Sequence, residues 1–491
     1  MNSANTSRTG NSTAISRLFK RFKKEHIMTE RYFKTLSPRD QQVLLERPYS
    51  TPSEVTTKIK AALACQKQWK QTSMKARAEV CERMVAAIEA QQDSIAEEIS
   101  QQMGRPIAFS GGEINGFAQR ARHMIAIAES SLTAIHIEEE QGVERFIQRE
   151  PLGIAAIISP WNYPYLTAVN TLVPAIMAGN TVLLKPSSRA PLIAERLAEA
   201  FKEAGAPQGL FDYLYLNHAD TQKLTQNHHI DFIAFTGSVN GGIAMNTTKR
   251  KHFPELCLEL GGKDAAYVRA DANVQLCAIQ LADGAFFNSG QSCCGVKRIY
   301  VDEKVYGEFV KYLCEETRKL ELGDPLNPDT SLGPVISIDA AEKIRQQCEY
   351  ALNQGACNLI DSAQFPYDRP GSCYIAPRIL VEVNHRMAIM KEECFGPVVG
   401  VMPVKGDDEA VNLVNDCRYG LTASIWTRDL DAARQLSQAL EAGTIFTNRC
   451  DYLDPALAWT GVKNTGKGCS LSQLAYERLT RPKSFYLRNT Q

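Results

Sequence analysis

The sequence carries no surplus of charge: Lys+Arg and Asp+Glu both number 55, so the formal net charge is zero. Phosphate binding usually leaves a basic excess, so nucleic acid is not expected as a partner. No run of roughly 18 apolar residues occurs, so no membrane-spanning helix is expected. Histidines are few and scattered, and His228-His229 is their one cluster. Adjacent side chains cannot both face one metal from a regular helix. Cysteine is plentiful, with 14 residues, but no CxxC or Cys/His zinc spacing appears among them. Neither a metal site nor a disulfide framework is therefore expected. The cysteines read as reduced, mostly buried thiols in a reducing compartment, which gives a cytoplasmic expectation. No internal repeat is present.

What is there is a chain of 491 residues, too long for one ordinary core, so two or three domains are expected. Its 44% hydrophobic and 22% charged residues are those of a globular protein. The first 24 residues stand apart. They lack Asp and Glu and carry Arg8, Arg17, Lys20, Arg21, Lys23 and Lys24 among Ser, Thr and Asn. Ile15, Leu18, Phe19 and Phe22 would line one face of a short helix. This is the composition of a mitochondrial presequence, which makes the matrix an alternative location. The preferred reading is the plainer one, a disordered basic tail, or a start placed too early, with Met28 beginning the folded protein. Residues 1–28 are read as this tail or targeting segment.

From 54 to 103 the pattern is helical: Val80, Met84, Val85 and Ile88, then Ile95 and Ile99, recur at helical spacing, and Gly104 with Pro106 ends the run. Short apolar runs then alternate with amphipathic stretches. Strands are predicted at 154–158, 181–184, 213–216 and 232–235, and helices near 165–178, 190–204 and 239–248. A second alternating half has strands at 265–268, 299–301, 398–402, 423–426 and 444–447. Its helices fall at 274–288, 304–320, 338–354, 407–416 and 429–441. This is the βαβ pattern of open parallel sheets. Residues 134–152 interrupt it and read as a β-hairpin with one charged face.

Five phrases carry chemistry. Cys293 lies in Phe287-Asn288-Ser289-Gly290-Gln291-Ser292-Cys293-Cys294-Gly295, between a helical run and a strand, hence in a loop. A cysteine is a good nucleophile as its thiolate, although a cysteine taken from 14 is ordinarily buried filler. Glu259 ends an apolar stretch before Gly261-Gly262. Burial there would raise its pKa and suit it to accept a proton from water, whereas a solvated turn glutamate is the commoner fate. Asn162, in Pro160-Trp161-Asn162-Tyr163-Pro164, offers a donor amide on a stiff backbone, or is a plain turn residue. Phe235-Thr236-Gly237-Ser238 follows a predicted strand and opens a helix, whose N-terminus would attract a pyrophosphate, but it is no GxGxxG fingerprint. Glu392-Glu393-Cys394-Phe395-Gly396-Pro397 lies downstream.

In this order and spacing the phrases resemble the aldehyde dehydrogenase superfamily, from about residue 30 to the C-terminus. The resemblance implies an α/β fold: a Rossmann-type dinucleotide-binding domain (29–133 and 153–258), an α/β catalytic domain (259–447) and a β-hairpin oligomerisation arm (134–152 with 471–491). It implies a homodimer or homotetramer whose last strand runs through Ser484-Phe485-Tyr486-Leu487. It implies Cys293 as the nucleophile, two residues after Gln291 and followed five residues on by Arg298, with Cys294 a packing neighbour. Glu259 would activate the deacylating water, and Asn162 with the Cys293 backbone N–H would hold the oxyanion. Members that pass the acyl group to coenzyme A generally lack that glutamate, so hydrolysis to the free acid is implied. NAD or NADP would lie against Trp161, Lys185, Ser188, Gly237, Ser238, Gly242, Glu393 and Phe395. Tyr163, Thr167, Asn170, Ser292 and the loop Arg449–Asp454 would line the tunnel for a small aldehyde. The link to succinate-semialdehyde-type members is loose, and Arg449 is read as a surface-loop arginine that could instead meet a substrate carboxylate.

Two departures stand out. Many NAD-preferring relatives have a glutamate where this chain has Ser188, followed by Arg189, which leaves NADP open. An Arg-Glu pair near the family's C-terminus is here Cys469-Ser470, which puts a proton relay from the base in doubt. That keeps a catalytically silent, dinucleotide-binding protein as an alternative reading. A thiol hydrolase without redox chemistry is a further rival.

Overall fold

The computed structural model describes residues 31–138 and 141–489, so the basic segment 1–28 lies outside the described residues. Two sheets carry the molecule. The first has six strands in the order Gly466–Lys467, Glu255–Glu259, Ile230–Thr236, Ile154–Ile158, Thr181–Lys185 and Phe211–Tyr213. All neighbours are parallel except Gly466–Lys467. Every residue of Ile154–Ile158 is buried, as expected of a central strand covered on both faces. From that strand the chain builds outward to Phe211–Tyr213, then returns to add Ile230–Thr236 on the other side. The strand order reverses between Ile154–Ile158 and Ile230–Thr236, and the crevice outside the carboxyl ends at such a point is where open α/β sheets bind ligands. Those ends deliver Lys185, Asn162, Gly237 and Glu259 to one edge.

The second sheet has seven strands, ordered Cys357–Asn358, Arg378–Val381, Val398–Val404, Val296–Asp302, Asp264–Val268, Thr422–Trp426 and Thr444–Thr447. Only the first pair is antiparallel. The third sheet is antiparallel, with Val143–Pro151 between Ile135–His136 and Thr480–Arg488, and the Phe146 and Phe485 rings stack at 4.5 Å. The fold is thus α/β with two parallel sheets and a hairpin arm, as the sequence predicts.

The differences from the predicted elements are local. The strand expected at 213–216 is Phe211–Tyr213, after which only the Leu214 N–H still reaches the Leu184 carbonyl. Leu214 and Leu216 are apolar because the turn is buried beneath the sheet. The helix expected at 274–288 stops at Phe286, and Asn288 and Ser289 take φ of 53° and 56°. A hairpin, Tyr32–Leu36 with Val43–Pro48, and the long helix Ile107–Leu132 have no counterpart in the sequence reading. Gly111, Gly112 and Gly116 weaken the helical signal of that segment. A side chain at Gly116 would come within 2.7 Å of Leu166, so this glycine lets helix Ile107–Leu132 press against helix Pro164–Met177.

Candidate active site

The loop after Phe286 is built to hold a side chain in place. Ser289 Oγ donates to the Gly333 carbonyl at 2.7 Å, and the Ile336 N–H donates to Gln291 Oε1 at 2.8 Å. Lys297, buried within the following strand, donates to the carbonyls of Gly290 and Gly396. Arg298 is also buried and donates to the carbonyls of Lys263, Leu413 and Val414. Lys297 therefore ties the loop down at Gly290, and Arg298 ties the strand that follows it to the Lys263 turn and to Leu413 and Val414. Gly262 lets the turn after Glu259 close on this loop, since a Cβ there would lie 2.2 Å from the Cys293 carbonyl oxygen.

Cys293 and Glu259 open onto one cavity of about 300 Å³. Tyr163, Thr167, Asn170, Ser292, Asp451, Tyr452 and Leu453, all taken from the sequence as tunnel residues, line it too. Arg449 does not: it is exposed, with its guanidinium 3.5 Å from the Tyr452 ring centroid. Cys294 is more than a packing neighbour. Its thiol lines the cavity and donates to Asp451 Oδ1 at 2.9 Å, and Ser292 Oγ donates to the same oxygen at 3.0 Å. The bond to Cys293, burial and the Asp451 charge push the Cys294 thiol well above its ordinary pKa, which disfavours it as a nucleophile.

Glu259 sits at the last position of its strand, half-buried. Burial pushes its carboxyl above the ordinary range. Ser470 Oγ donates to Oε1 at 2.5 Å and Thr236 Oγ1 to Oε2 at 3.3 Å, and both oppose that rise, as does the Arg120 charge. The chain reaches Ser470 through a backbone pair with Trp459, another cavity residue.

Asn162 is buried behind the cavity. Its Nδ2 donates to the Gln291 carbonyl at 3.0 Å, which uses one of two amide hydrogens. Its own carbonyl accepts from Arg105 Nη2 at 2.6 Å and Asn288 Nδ2 at 3.4 Å. Arg105 forms a fully buried pair with Glu113 at 2.5 Å, and Glu113 also accepts from the Tyr165 N–H at 2.7 Å. Arg105, Glu113 and Asn288 thus fasten the Asn162 loop to the Cys293 loop. Sequence reading missed all three, and nothing in the local pattern around Gly104-Arg105-Pro106 marks them. It also missed Arg120, whose one signal was a charge lying in the apolar stripe of Ile114, Phe117, Ala121 and Met124.

The crevice at the carboxyl ends of the first sheet fits a dinucleotide. Lys185 ends its strand with its amine bonded to none of the described residues, and burial lowers it to about 8. Ser159 Oγ is buried beside Thr236 and Glu259 with no hydrogen-bond partner among the described residues. Ser238 caps helix Val239–Thr247 by accepting from the Gly241 N–H at 3.2 Å. The Gly237 N–H is already given to the Glu259 carbonyl and the Gly242 N–H to the Ser238 carbonyl, so neither amide is spare as a phosphate donor in the way Lys185 is. Ser188 is exposed beside Arg189. Glu393 accepts from the Gly262 N–H at 3.2 Å and is raised by burial. It borders a cleft of about 540 Å³ together with Phe395, whose ring meets Trp161 edge-on at 5.7 Å.

The chain is similar to known proteins along most of its length. The model described as "Aldehyde dehydrogenase family" matches residues 26–485. The chain is 32% identical to the succinate-semialdehyde dehydrogenase [NADP(+)] of Deinococcus radiodurans over 92% of its own length and 94% of that protein. It is 30% identical to the succinate semialdehyde dehydrogenase [NAD(P)+] of Escherichia coli, covering 89% and 94%. Its fold superposes on NADP-dependent glyceraldehyde-3-phosphate dehydrogenase from Bacillus halodurans, complexed with NADP, with a TM-score of 0.88 at 30% identity, covering 94% and 96%.

Proposed function

The chain belongs to the aldehyde dehydrogenase family, and on that premise we propose that it oxidises an aldehyde to the free carboxylic acid through a thioester on Cys293. The observation that carries this reading is the single cavity onto which Cys293 and Glu259 both open, at the carboxyl-end crevice of a parallel sheet.

The Cys293 sulfur adds to the aldehyde carbon, and the carbonyl oxygen gains negative charge. Preorganised donors aimed at such an oxygen are typically worth about 3–4 kcal/mol each. Asn162 keeps one amide hydrogen for it, and the Cys293 backbone N–H donates to none of the described residues. NAD or NADP, when bound by Lys185, Glu393 and Phe395, supplies the hydride acceptor that the change from adduct to thioester requires. Glu259, its carboxyl raised by burial, then takes the proton of the water that attacks the thioester, and the acid leaves with the sulfur restored. Named relatives that use NADP(+) or NAD(P)+ support either cofactor, and Ser188 leaves room for a 2′-phosphate.

The exposed outer strand Thr480–Arg488, with Tyr486 and Leu487 uncovered, supports pairing with a second copy and hence a dimer or tetramer. Its 14 thiols are all free, which supports a reducing compartment such as the cytoplasm.

The test is steady-state oxidation of short aliphatic, aromatic and ω-carboxylic aldehydes by the purified protein with NAD and with NADP. Cys293→Ala is expected to lower the rate about 10³-fold or more. Turnover by that variant near the wild-type rate would overturn the reading.

A further inference from the structure

Cys293 stands between two residues that share one partner. Ser292 Oγ donates to Asp451 Oδ1 at 3.0 Å and Cys294 Sγ to the same oxygen at 2.9 Å, and both donors are buried. The donors adjoin Cys293 in the chain, whereas their acceptor lies 159 and 157 residues further on. The loop that carries Asp451 is itself fixed. It follows strand Thr444–Thr447, and Asn448 roots it with three bonds. The Asn448 N–H donates to the Ile425 carbonyl at 2.9 Å, its Nδ2 donates to the Thr427 carbonyl at 2.9 Å, and its Oδ1 accepts from the Thr427 N–H at 3.0 Å. Asn448 and Asp451 take φ of 54° and 46°, a left-handed backbone that a residue with a Cβ keeps when its surroundings impose it. A carboxylate is a costly acceptor at this place. Burial pushes Asp451 above the ordinary range, and its charge shares the cavity in which a thiolate and an oxyanion would form. Its advantage is strength: a thiol is a weak donor, and a charged acceptor holds it better than a neutral one.

We propose that Asp451 is a positioning residue: by holding Ser292 and Cys294 it fixes the peptide groups on both sides of Cys293, so that the Cys293 sulfur and backbone N–H face one point of the cavity. This rests on the aldehyde-oxidising reading above and adds a residue to it. The adding sulfur and the donor to the oxyanion belong to the same residue, so a small rotation of the backbone at Cys293 misplaces both at once. Gly262 closes on the Cys293 carbonyl from one side, and Asn162 holds the Gln291 carbonyl one residue before the clamped triplet. Asp451 supplies the hold on the triplet itself, from the opposite domain edge of the cavity wall formed with Tyr452 and Leu453.

The experiment measures kcat and KM for butanal and benzaldehyde with wild type, Asp451→Ala and Asp451→Asn. Asp451→Ala should lower kcat about 10²-fold for both aldehydes, the scale of a misplaced reacting group, with KM changed far less. Asp451→Asn, which keeps an acceptor oxygen without the charge, should lose less than about tenfold. A fall that appears in KM, or with one aldehyde and not the other, would mean that Asp451 meets the substrate and would overturn the proposal. An Asn variant as slow as the Ala variant would overturn it too, since the charge and not the hold would then matter. Should Asp451→Ala fail to fold, Ser292→Ala with Cys294→Ala removes both donors from the other side and should reproduce the fall in kcat. A second measurement needs no turnover: iodoacetamide labelling of the folded protein, mapped by mass spectrometry. Wild type should be labelled at Cys293 and not at Cys294, and Asp451→Ala at both, because the second thiol is then released. Labelling that Asp451→Ala leaves unchanged sinks the clamp even if aldehydes are oxidised. Loss of that selectivity in a protein that oxidises no aldehyde sinks the dehydrogenase reading and leaves the clamp standing.

Discussion

Ser470 Oγ donates to Glu259 Oε1 at 2.5 Å, so the residue standing where the resembled family has a relay glutamate is bonded directly to the proposed base. A serine cannot carry a carboxylate's charge into the relay. It can hold the base in one orientation and stabilise its ionised form.

Removing that hydroxyl should therefore shift the pH dependence. Burial raises the Glu259 carboxyl and the Ser470 bond lowers it, so Ser470→Ala lifts it further. The base must be ionised to act, so the acid limb of the kcat profile should move to higher pH. A hydrogen bond to a charged group is worth about 1.5–3 kcal/mol, or about 1–2 pH units. A rate profile from pH 5 to 9 reads the shift, and an unmoved limb would show that another group controls it.

The buried pair of Arg105 and Glu113 should couple stability to catalysis. Glu113→Gln leaves the guanidinium without its partner charge, at a cost of about 3–5 kcal/mol. The same change loosens the Asn162 loop, which Arg105 grips through its carbonyl. Denaturant unfolding should show the loss, and kcat should fall more than KM rises because Asn162, the proposed oxyanion donor, is what moves.

Asp264 should make the protein less stable as pH rises. It is buried, accepts from the Thr422 N–H and hydroxyl on one oxygen, and has no partner among the described residues on the other. Burial pushes its carboxyl up to about 7. The folded value exceeds the unfolded one, near 4. The stability it contributes is thus fully present below about pH 4 and lost as pH rises through about 7. Asp264→Asn should flatten that dependence, and melting temperatures measured at pH 5 and 8 would show it.

Ser188 should govern the choice between cofactors. Ser188→Glu places a carboxylate where a 2′-phosphate would otherwise be tolerated, with Arg189 alongside. The ratio of kcat/KM for NADP over NAD should fall about tenfold or more, since two like charges in contact cost over 1 kcal/mol. An unchanged ratio would mean that this position does not face the ribose.

The alternation of apolar runs with amphipathic stretches was readable because the central strands of the two parallel sheets are covered on both faces. Ile154–Ile158 and Asp264–Val268, buried along their whole length, are the clearest cases. Helix Ile107–Leu132 was not readable, since its glycines serve helix packing rather than helix propensity. Chain ends of elements drifted where burial continued into a turn, as at Leu214 and Leu216.

The order of residues alone specified which groups could do chemistry: a cysteine in a loop of small residues, a glutamate before two glycines, an asparagine between prolines. Such patterns are local, set by backbone freedom and by spacing within a few residues. Which groups meet was decided by tertiary structure. The close approach at Gly116 brings Arg120 to the cavity of Cys293, and the bridge between Trp459 and Ser470 carries a hydroxyl to Glu259. Burial then sets what those groups do, because a charge withdrawn from water must find its partner among neighbours far away along the chain.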